Sequence, residues 1–244
     1  MVPQPHIMLD VGQVREVCIT VGDPARALKM AEMCEQHKEL AYNREYRSFD
    51  VKHKGKAFTI ISHGVGASGA CICFEELIKC GAKVIMRAGT CGSLMPDKYG
   101  QGDLIICTGG VRDEGTSERM IPMSYPAVAD AENVLLLEQV IKEQGAKYAK
   151  GLMLSSDVFY PVIAPTNYEM WAKANVIGIE MEVSALFVLC QIRGCAGVGL
   201  CTIDGSPLKW DSGDYDPHGT KVAEGKKRML EAAIEWASRA SKQT

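Results

Sequence analysis

The chain has 244 residues, 47% apolar and 23% charged, which suits a globular protein that buries roughly three quarters of its unfolded surface in one domain. A formal net charge of -3 offers no basic face, so nucleic acid is excluded as a partner and any bound anion must be held by a few placed groups. The opening "MVPQPHIMLD" lacks a basic start followed by an apolar core, and the longest apolar run, "ALFVLC" at 185–190, falls far short of the roughly 20 residues of a membrane span, so a cytoplasmic protein off the membrane is expected.

Short Val- and Ile-rich runs alternate with helical patterns, the mark of an α/β fold whose strands are covered on both faces. Strand 16–22, "EVCITVG", leads into a helix over 24–36 that Asp23 caps and Pro24 opens. A hairpin over 46–58 turns at Lys54-Gly55, followed by strand 58–64 and helix 67–80. Strands at 83–89 and 103–110, helix 128–144, strand 150–157, helix 166–174 and strand 176–182 come next. Helix 183–193, "VSALFVLCQIR", is apolar nearly all round, which predicts a central buried helix. Strand 197–204 and a final helix over 220–241 flank the segment 205–219, whose Gly, Pro and Asp content predicts a lid or a disordered loop. The ten cysteines lie mostly inside apolar runs with no C-x-x-C pair, which points to reduced, packed thiols; Cys71 and Cys73 lie two apart on a helix and diverge, so no metal site is expected.

Chemistry collects where strands end. "TVGDPAR" places Gly22 at a strand-to-helix turn and Arg26 in the first helical turn, so free N–H groups and a guanidinium face one anion. "GVGASG" at 64–69 matches the dinucleotide-binding glycine pattern, but Arg87 and Ala88 stand where that pattern wants an acid; an NADP-binding oxidoreductase is therefore the alternative from another class. In "VIMRAGTCGSL", the charge of Arg87 inside an apolar strand demands an anionic partner, either a bound oxyanion or a core carboxylate, and Thr90 adds a hydroxyl beside it. Glu180 and Glu182 of "GIEMEVSAL" share a face of their strand; they form a buried ion pair with an arginine, or Glu182 accepts hydrogen bonds from a sugar diol. Asp204 ends strand 197–204 before the lid-like segment, where shielding would raise its pKa above the usual value of about 3.9 and make it a proton donor. An oxyanion site, a diol-binding carboxylate and an acid together match phosphorolysis of a nucleoside through an oxocarbenium-like state.

The stretches "VGDPAR", "AYNREYRS", "SHGVG", "MRAGTCGSL", "SSDVFYP", "GIEMEVSAL" and "CTIDG" resemble the hexameric type of purine nucleoside phosphorylase, in the nucleoside phosphorylase family with uridine phosphorylases and methylthioadenosine nucleosidases. The resemblance implies a three-layer α/β/α subunit with a mixed, partly barrel-like sheet, assembled as a hexamer, a trimer of dimers. It implies inorganic phosphate as co-substrate, with no other cofactor, held by Gly22, Arg26, Arg87 and Thr90 and by Arg44 of a neighbouring subunit. The ribose would lie on Met181, Glu182 and Val65 with the neighbour's His6 at its 5'-hydroxyl, and the base between Phe159, Cys91, Gly92 and the backbone around Glu180, with Asp204 at N7. Bacterial members often carry an Arg shortly after the catalytic Asp; here that stretch offers Lys209 and then His218. The residues after "FYP", "VIAPTNYEM", lack the Gln-x-Arg element of uridine phosphorylases, which favours a purine. Within the family, a uridine phosphorylase and a phosphate-independent nucleosidase are the alternatives; the latter would have no use for arginines at 26, 44 and 87.

Overall fold

The computed structural model describes residues 2–241. Strand β1 (Val17–Val21) is wholly buried and ends at Gly22, after which Asp23 accepts the Ala25 N–H at 2.8 Å and Pro24 opens helix α1 (Pro24–Glu32). The predicted helix 24–36 stops at Glu32, because residues from Gln36 onward form strand β2 (Gln36–Asn43). β2 is an edge strand, largely solvent-exposed, so no apolar alternation announces it; its pairing with β3 (Tyr46–His53) creates it. The β3–β4 hairpin turns at Lys54 and Gly55 as predicted, and β4 (Lys56–Ser62) runs parallel to β1.

Helix α2 (Ala67–Lys79) leads to β5 (Val84–Ser93), the strand on which the sheet is organised. On one side β5 pairs in parallel with β1, and the sheet continues through β4, β3 and β2. On the other, β5 pairs in parallel with β10 (Ala196–Gly205), which runs antiparallel to β6 (Leu104–Asp113). β6 is parallel to β8 (Tyr148–Ser156), β8 to β9 (Gly178–Glu180), and β9 returns antiparallel to β5 at Gly92 and Ser93. Five strands thus close on themselves, and the mixed, partly barrel-like sheet expected from the sequence is formed.

Three further boundaries depart from the sequence reading. Helix α3 (Gly115–Met120), capped by the Glu114 carboxylate, was not foreseen. The predicted helix 128–144 begins only at Ala131, as α4 (Ala131–Glu143), because Asp130 caps it and residues 127–128 pair with β6 as the short strand β7 (Ala127–Val128). The predicted strand 176–182 shortens to Gly178–Glu180, since the Glu180 carboxylate accepts the N–H groups of Glu182 and Val183 and starts a helix there. That helix, α6 (Val183–Ile192), is buried from Val183 through Cys190, as its apolar sequence requires, and packs against β6, β8, β10 and the helices α2 and α3. Helix α5 (Tyr168–Lys173) lies before β9, and α7 (Thr220–Arg239) packs across β1, β4, β5 and β10 with α4 beside it, completing the layering. Segment 205–219 is not a plain loop: it holds a 3-10 helix, Pro207–Ser212, capped by the Ser206 hydroxyl.

Candidate active site

The C-terminal ends of β1, β4, β5 and β10 and the start of α6 open into one cavity of about 880 Å³. Gly22, Arg26, Val65, Arg87, Thr90, Cys91, Gly92, Phe159, Glu180, Met181, Glu182 and Asp204 all line it, so twelve of the fourteen site residues expected from the sequence meet around a single space. Arg44 and His6 do not line it. Arg44 stands exposed in the β2–β3 turn in a left-handed conformation, φ 54°. His6 is fixed rather than loose: its Nδ1 lies 2.7 Å from Glu76 Oε1, its N–H donates to Glu76 Oε2 at 3.1 Å, and Asn43 Nδ2 donates to its carbonyl at 2.8 Å.

The anionic partner that Arg87 demands is, within the chain, carboxylate. Its Nε donates to Glu182 Oε2 at 2.8 Å and lies 3.1 Å from Glu180 Oε2, Nη2 donates to Glu182 as well, and Nη1 reaches Cys201 Sγ at 3.7 Å. The buried ion pair that the sequence allowed is therefore formed, with the guanidinium and Glu182 both still on the cavity wall. A β-carbon at Gly89 would overlap that guanidinium, which explains a glycine inside a buried strand. Burial acts against every charge in this cluster. It drives the Glu180 carboxyl up to about 7, with Arg87 opposing and Glu182 reinforcing. It pushes Glu182 the same way, but Arg87, His63 and the Gly66 N–H outweigh it and hold Glu182 below the ordinary carboxylate value, so Glu182 carries the negative charge of the pair.

The glycine run acquires a use from the same carboxylate. Gly64 and Gly66 adopt φ of 77° and 93°, and Gly66 N–H, at the N-terminus of α2, donates to Glu182 Oε1 at 2.6 Å. The place where a dinucleotide pattern would seat its pyrophosphate is occupied by a side chain of the protein.

Arg26 is different. Among the described residues its guanidinium has neither a hydrogen bond nor an ion pair. Burial and then the neighbouring charge of Arg87 depress its pKa, with Asp23 and Asp204 too weak to compensate. A half-buried cation without a counter-ion, beside the Gly22 turn and the first turn of α1, is a place for a small anion.

Across the cavity Asp204 is 7% exposed, and burial lifts its carboxyl to about 6, with Thr90 and Lys226 pulling the other way. Asp204 therefore stands on the cavity wall with the raised pKa that the sequence reading expected at this strand end. Phe159 is the corner of an aromatic wall that the sequence did not disclose: it meets Tyr160, Trp210 and Tyr215 edge to face at 4.8, 5.8 and 5.9 Å, and Trp210 stacks on Tyr215 at 5.1 Å. Trp210 and Tyr215 come from segment 205–219; two aromatics in an otherwise polar stretch were the available signal. Such a wall suits a flat aromatic base. Glu45 also lines the cavity unforeseen. Lys209 is turned away onto Asp97 at 2.8 Å, and His218 is exposed. Among the described residues no His, Cys, Asp or Glu group could hold a metal, and no helix is long and apolar enough to cross a membrane.

Comparison with known proteins agrees with this fold. The pattern of the phosphorylase superfamily matches residues 16–238. The purine nucleoside phosphorylase of Plasmodium vivax (strain Salvador I) is 45% identical over 240 residues, 98% of this chain and 97% of that protein. The crystal structure of purine nucleoside phosphorylase from Toxoplasma gondii in complex with immucillin-H superposes with a TM-score of 0.95 at 44% identity, covering 98% of this chain and 96% of that one. Uridine phosphorylase from Vibrio fischeri ES114 superposes with a TM-score of 0.89 at 32% identity, over 98% of this chain and 99% of that one.

Proposed function

Because the chain belongs to the phosphorylase superfamily, we propose that it is a purine nucleoside phosphorylase, a pentosyltransferase that reversibly converts purine (deoxy)ribonucleosides such as inosine and guanosine to free base and (deoxy)ribose 1-phosphate in purine salvage. The observation that carries the choice of phosphate over water is Arg26, a guanidinium left unpaired among the described residues beside a glycine turn, on the same cavity as an acid raised to about 6.

In this reading phosphate lies against Gly22, Arg26, Arg87 and Thr90, and the ribose hydroxyls bond Glu182, with Val65 and Met181 packing on the sugar. The base stands against Phe159, Cys91, Gly92 and the Glu180 backbone, and the aromatic wall extends its contact. As the bond from the anomeric carbon to the base breaks, the electron pair leaves with the base, whose N7 takes the proton of Asp204. A phosphate oxygen then bonds the anomeric carbon, and Asp204 is reprotonated from solvent. The dianion and Glu182 flank the cationic sugar, where their charges lower the barrier most.

Phosphate is the co-substrate and no other cofactor is used. His6 and Arg44, which stand outside their own cavity, complete the site of a neighbouring subunit in a trimer of dimers located in the cytoplasm. Incubating the protein with inosine, adenosine and uridine, with and without phosphate, tests the proposal. Purine release together with pentose 1-phosphate, only when phosphate is present, is expected. Release without phosphate would make the protein a nucleosidase, and a preference for uridine a pyrimidine enzyme.

A further inference from the structure

Lys226 lies on α7, apart from the strand ends that line the cavity. Its neighbour Gly225 is where α7 touches β10: a β-carbon there would overlap the Thr202 hydroxyl and lie 2.6 Å from the Gly102 Cα. Lys226 follows directly in the chain, and its charge and that of Asp204, two positions after Thr202 on β10, act on each other. Lys226 Nζ donates to the Pro217 carbonyl at 2.7 Å. The same segment is fastened to the catalytic strand from the other side, since Asp216 N–H donates to the Asp204 carbonyl at 3.2 Å. Gly205, in turn, leaves no room for a side chain: a β-carbon there would lie 2.8 Å from the Tyr215 Cα. Residues 214–217 are therefore held between β10 and α7, with the Lys226 ammonium as the clamp on the α7 side; Tyr215 of the aromatic wall belongs to the stretch so held, and Trp210 stacks on it.

We propose that Lys226 is a positioning residue for the phosphorolysis: it holds the 214–217 segment, and with it Tyr215 of the base-binding wall, against the end of β10 and, as one of the cations facing Asp204, helps to set the pH at which that acid carries its proton. The inference rests on the role of Asp204 proposed above.

The surroundings of both groups support it. Asp204 is faced by the Thr90 hydroxyl and Cys91 from β5, Cys201 from its own strand, Arg26 from α1, Tyr215 from the held segment and Lys226 from α7. Burial raises its pKa; Thr90 and then Lys226 lower it. Lys226 is faced by Arg26 and Lys29 of α1, by Asp23 at the α1 cap and by Asp204, and its own pKa is lowered, first by burial and then by Arg26. Of the basic residues nearer in sequence, Lys209 is paired with Asp97 and His218 is exposed. Asp204 must be protonated to donate, so turnover falls as pH rises through its pKa. Removing a neighbouring positive charge disfavours the carboxylate, raises that pKa and moves the alkaline limb upward.

The test is the pH dependence of kcat and KM for inosine at saturating phosphate, in the wild type, Lys226→Met, Lys226→Arg and Asp204→Asn. Lys226→Met is expected to lower kcat, raise the inosine KM and move the alkaline limb of kcat up by about one pH unit. Lys226→Arg, which keeps the charge, is expected to return the limb to its wild-type position. If Lys226→Met does not fold, Lys226→Gln removes the same charge and serves the same comparison. An alkaline limb unmoved in the uncharged variant overturns the proposal, whatever the fall in kcat, because a purely structural lysine changes rates without changing the acidity of Asp204. The Asp204→Asn control separates the two failures. A limb that persists in Asp204→Asn refutes the donor role itself; one lost there but unmoved without Lys226 refutes only the inference drawn for Lys226.

Discussion

Replacing Glu182 by Gln removes one negative charge from a cluster in which Arg87 is shared between two buried carboxylates. Gln retains an oxygen for the Gly66 N–H, which the wild-type carboxylate accepts at 2.6 Å, so the perturbation is mainly electrostatic. Breaking a buried pair by removing one partner costs about 3–5 kcal/mol, because the remaining charge is left in a poor solvent. Glu180 stays within 3.1 Å of Arg87 Nε, which places the cost at the lower end, about 3 kcal/mol. For a chain of this size each kcal/mol moves Tm by about 2–4 °C, so a fall of about 6–12 °C is expected in a thermal melt. Glu75→Gln serves as the surface control: it breaks the exposed pair with Arg193, whose contact is 2.9 Å, and should cost about 0.2–1 kcal/mol. Phosphate supplies the second half of the experiment. An Arg87 relieved of Glu182 binds a dianion more tightly, and tenfold tighter binding adds about 1.4 kcal/mol of stabilisation at saturating ligand. Saturating phosphate should therefore raise the Tm of Glu182→Gln by more than it raises that of the wild type. A melt no lower than that of the surface control would refute the energetic argument, and equal phosphate-induced rises would remove Arg87 from the phosphate site.

Arg26→Ala deletes a guanidinium that has no hydrogen bond or ion pair among the described residues, so it should leave Tm nearly unchanged while raising the phosphate KM about 10- to 100-fold, the range for charge-assisted hydrogen bonds; an inosine KM that rises as much would argue against a dedicated anion site. Gly89→Ala forces the Arg87 guanidinium aside and is expected to cost about 1–3 kcal/mol in denaturant unfolding and to weaken phosphate use, whereas Gly100→Ala, with open space around it, should be neutral in the same assay. Arg44→Ala and Asp204→Asn should each be nearly inactive alone. If Arg44 serves a neighbour's site, dissociating and reassociating an equal mixture should restore about a quarter of the wild-type turnover, since one site in each mixed dimer is intact. Mixed samples no more active than their components would assign Arg44 to a different task.

The residues that could be placed at the cavity in advance are those whose position follows from local pattern. Gly22 with Asp23 and Pro24 marks a strand-to-helix turn by turn chemistry and capping alone, and Arg26 follows at a known offset. Asp204 ends an apolar strand, and Arg87 is conspicuous because a charge interrupts one. What could not be read is whatever depends on distant pieces meeting. Edge strand β2 has no apolar face to betray it. Arg112, buried and bonded to the carbonyls of Ser117, Ile121, Pro122 and Tyr125, organises the 113–125 region and α3 without any periodic signal.

The sequence by itself determined the alternation of strands and helices, the turns that end at the cavity, and the chemical types of group present there, because these follow from side-chain period, capping and the cost of isolated charge within a few residues of each position. Only the tertiary structure decided which anion Arg87 meets, since Glu182 lies 95 residues away in the chain, and that the guanidinium beside Gly22 has no ion pair among the described residues. Closure of five strands through the β5–β9 and β5–β10 pairings brings those groups together, and the packing of α7 on β10 adds Lys226. Such choices depend on distances set by the whole sheet, and no short stretch of sequence contains them.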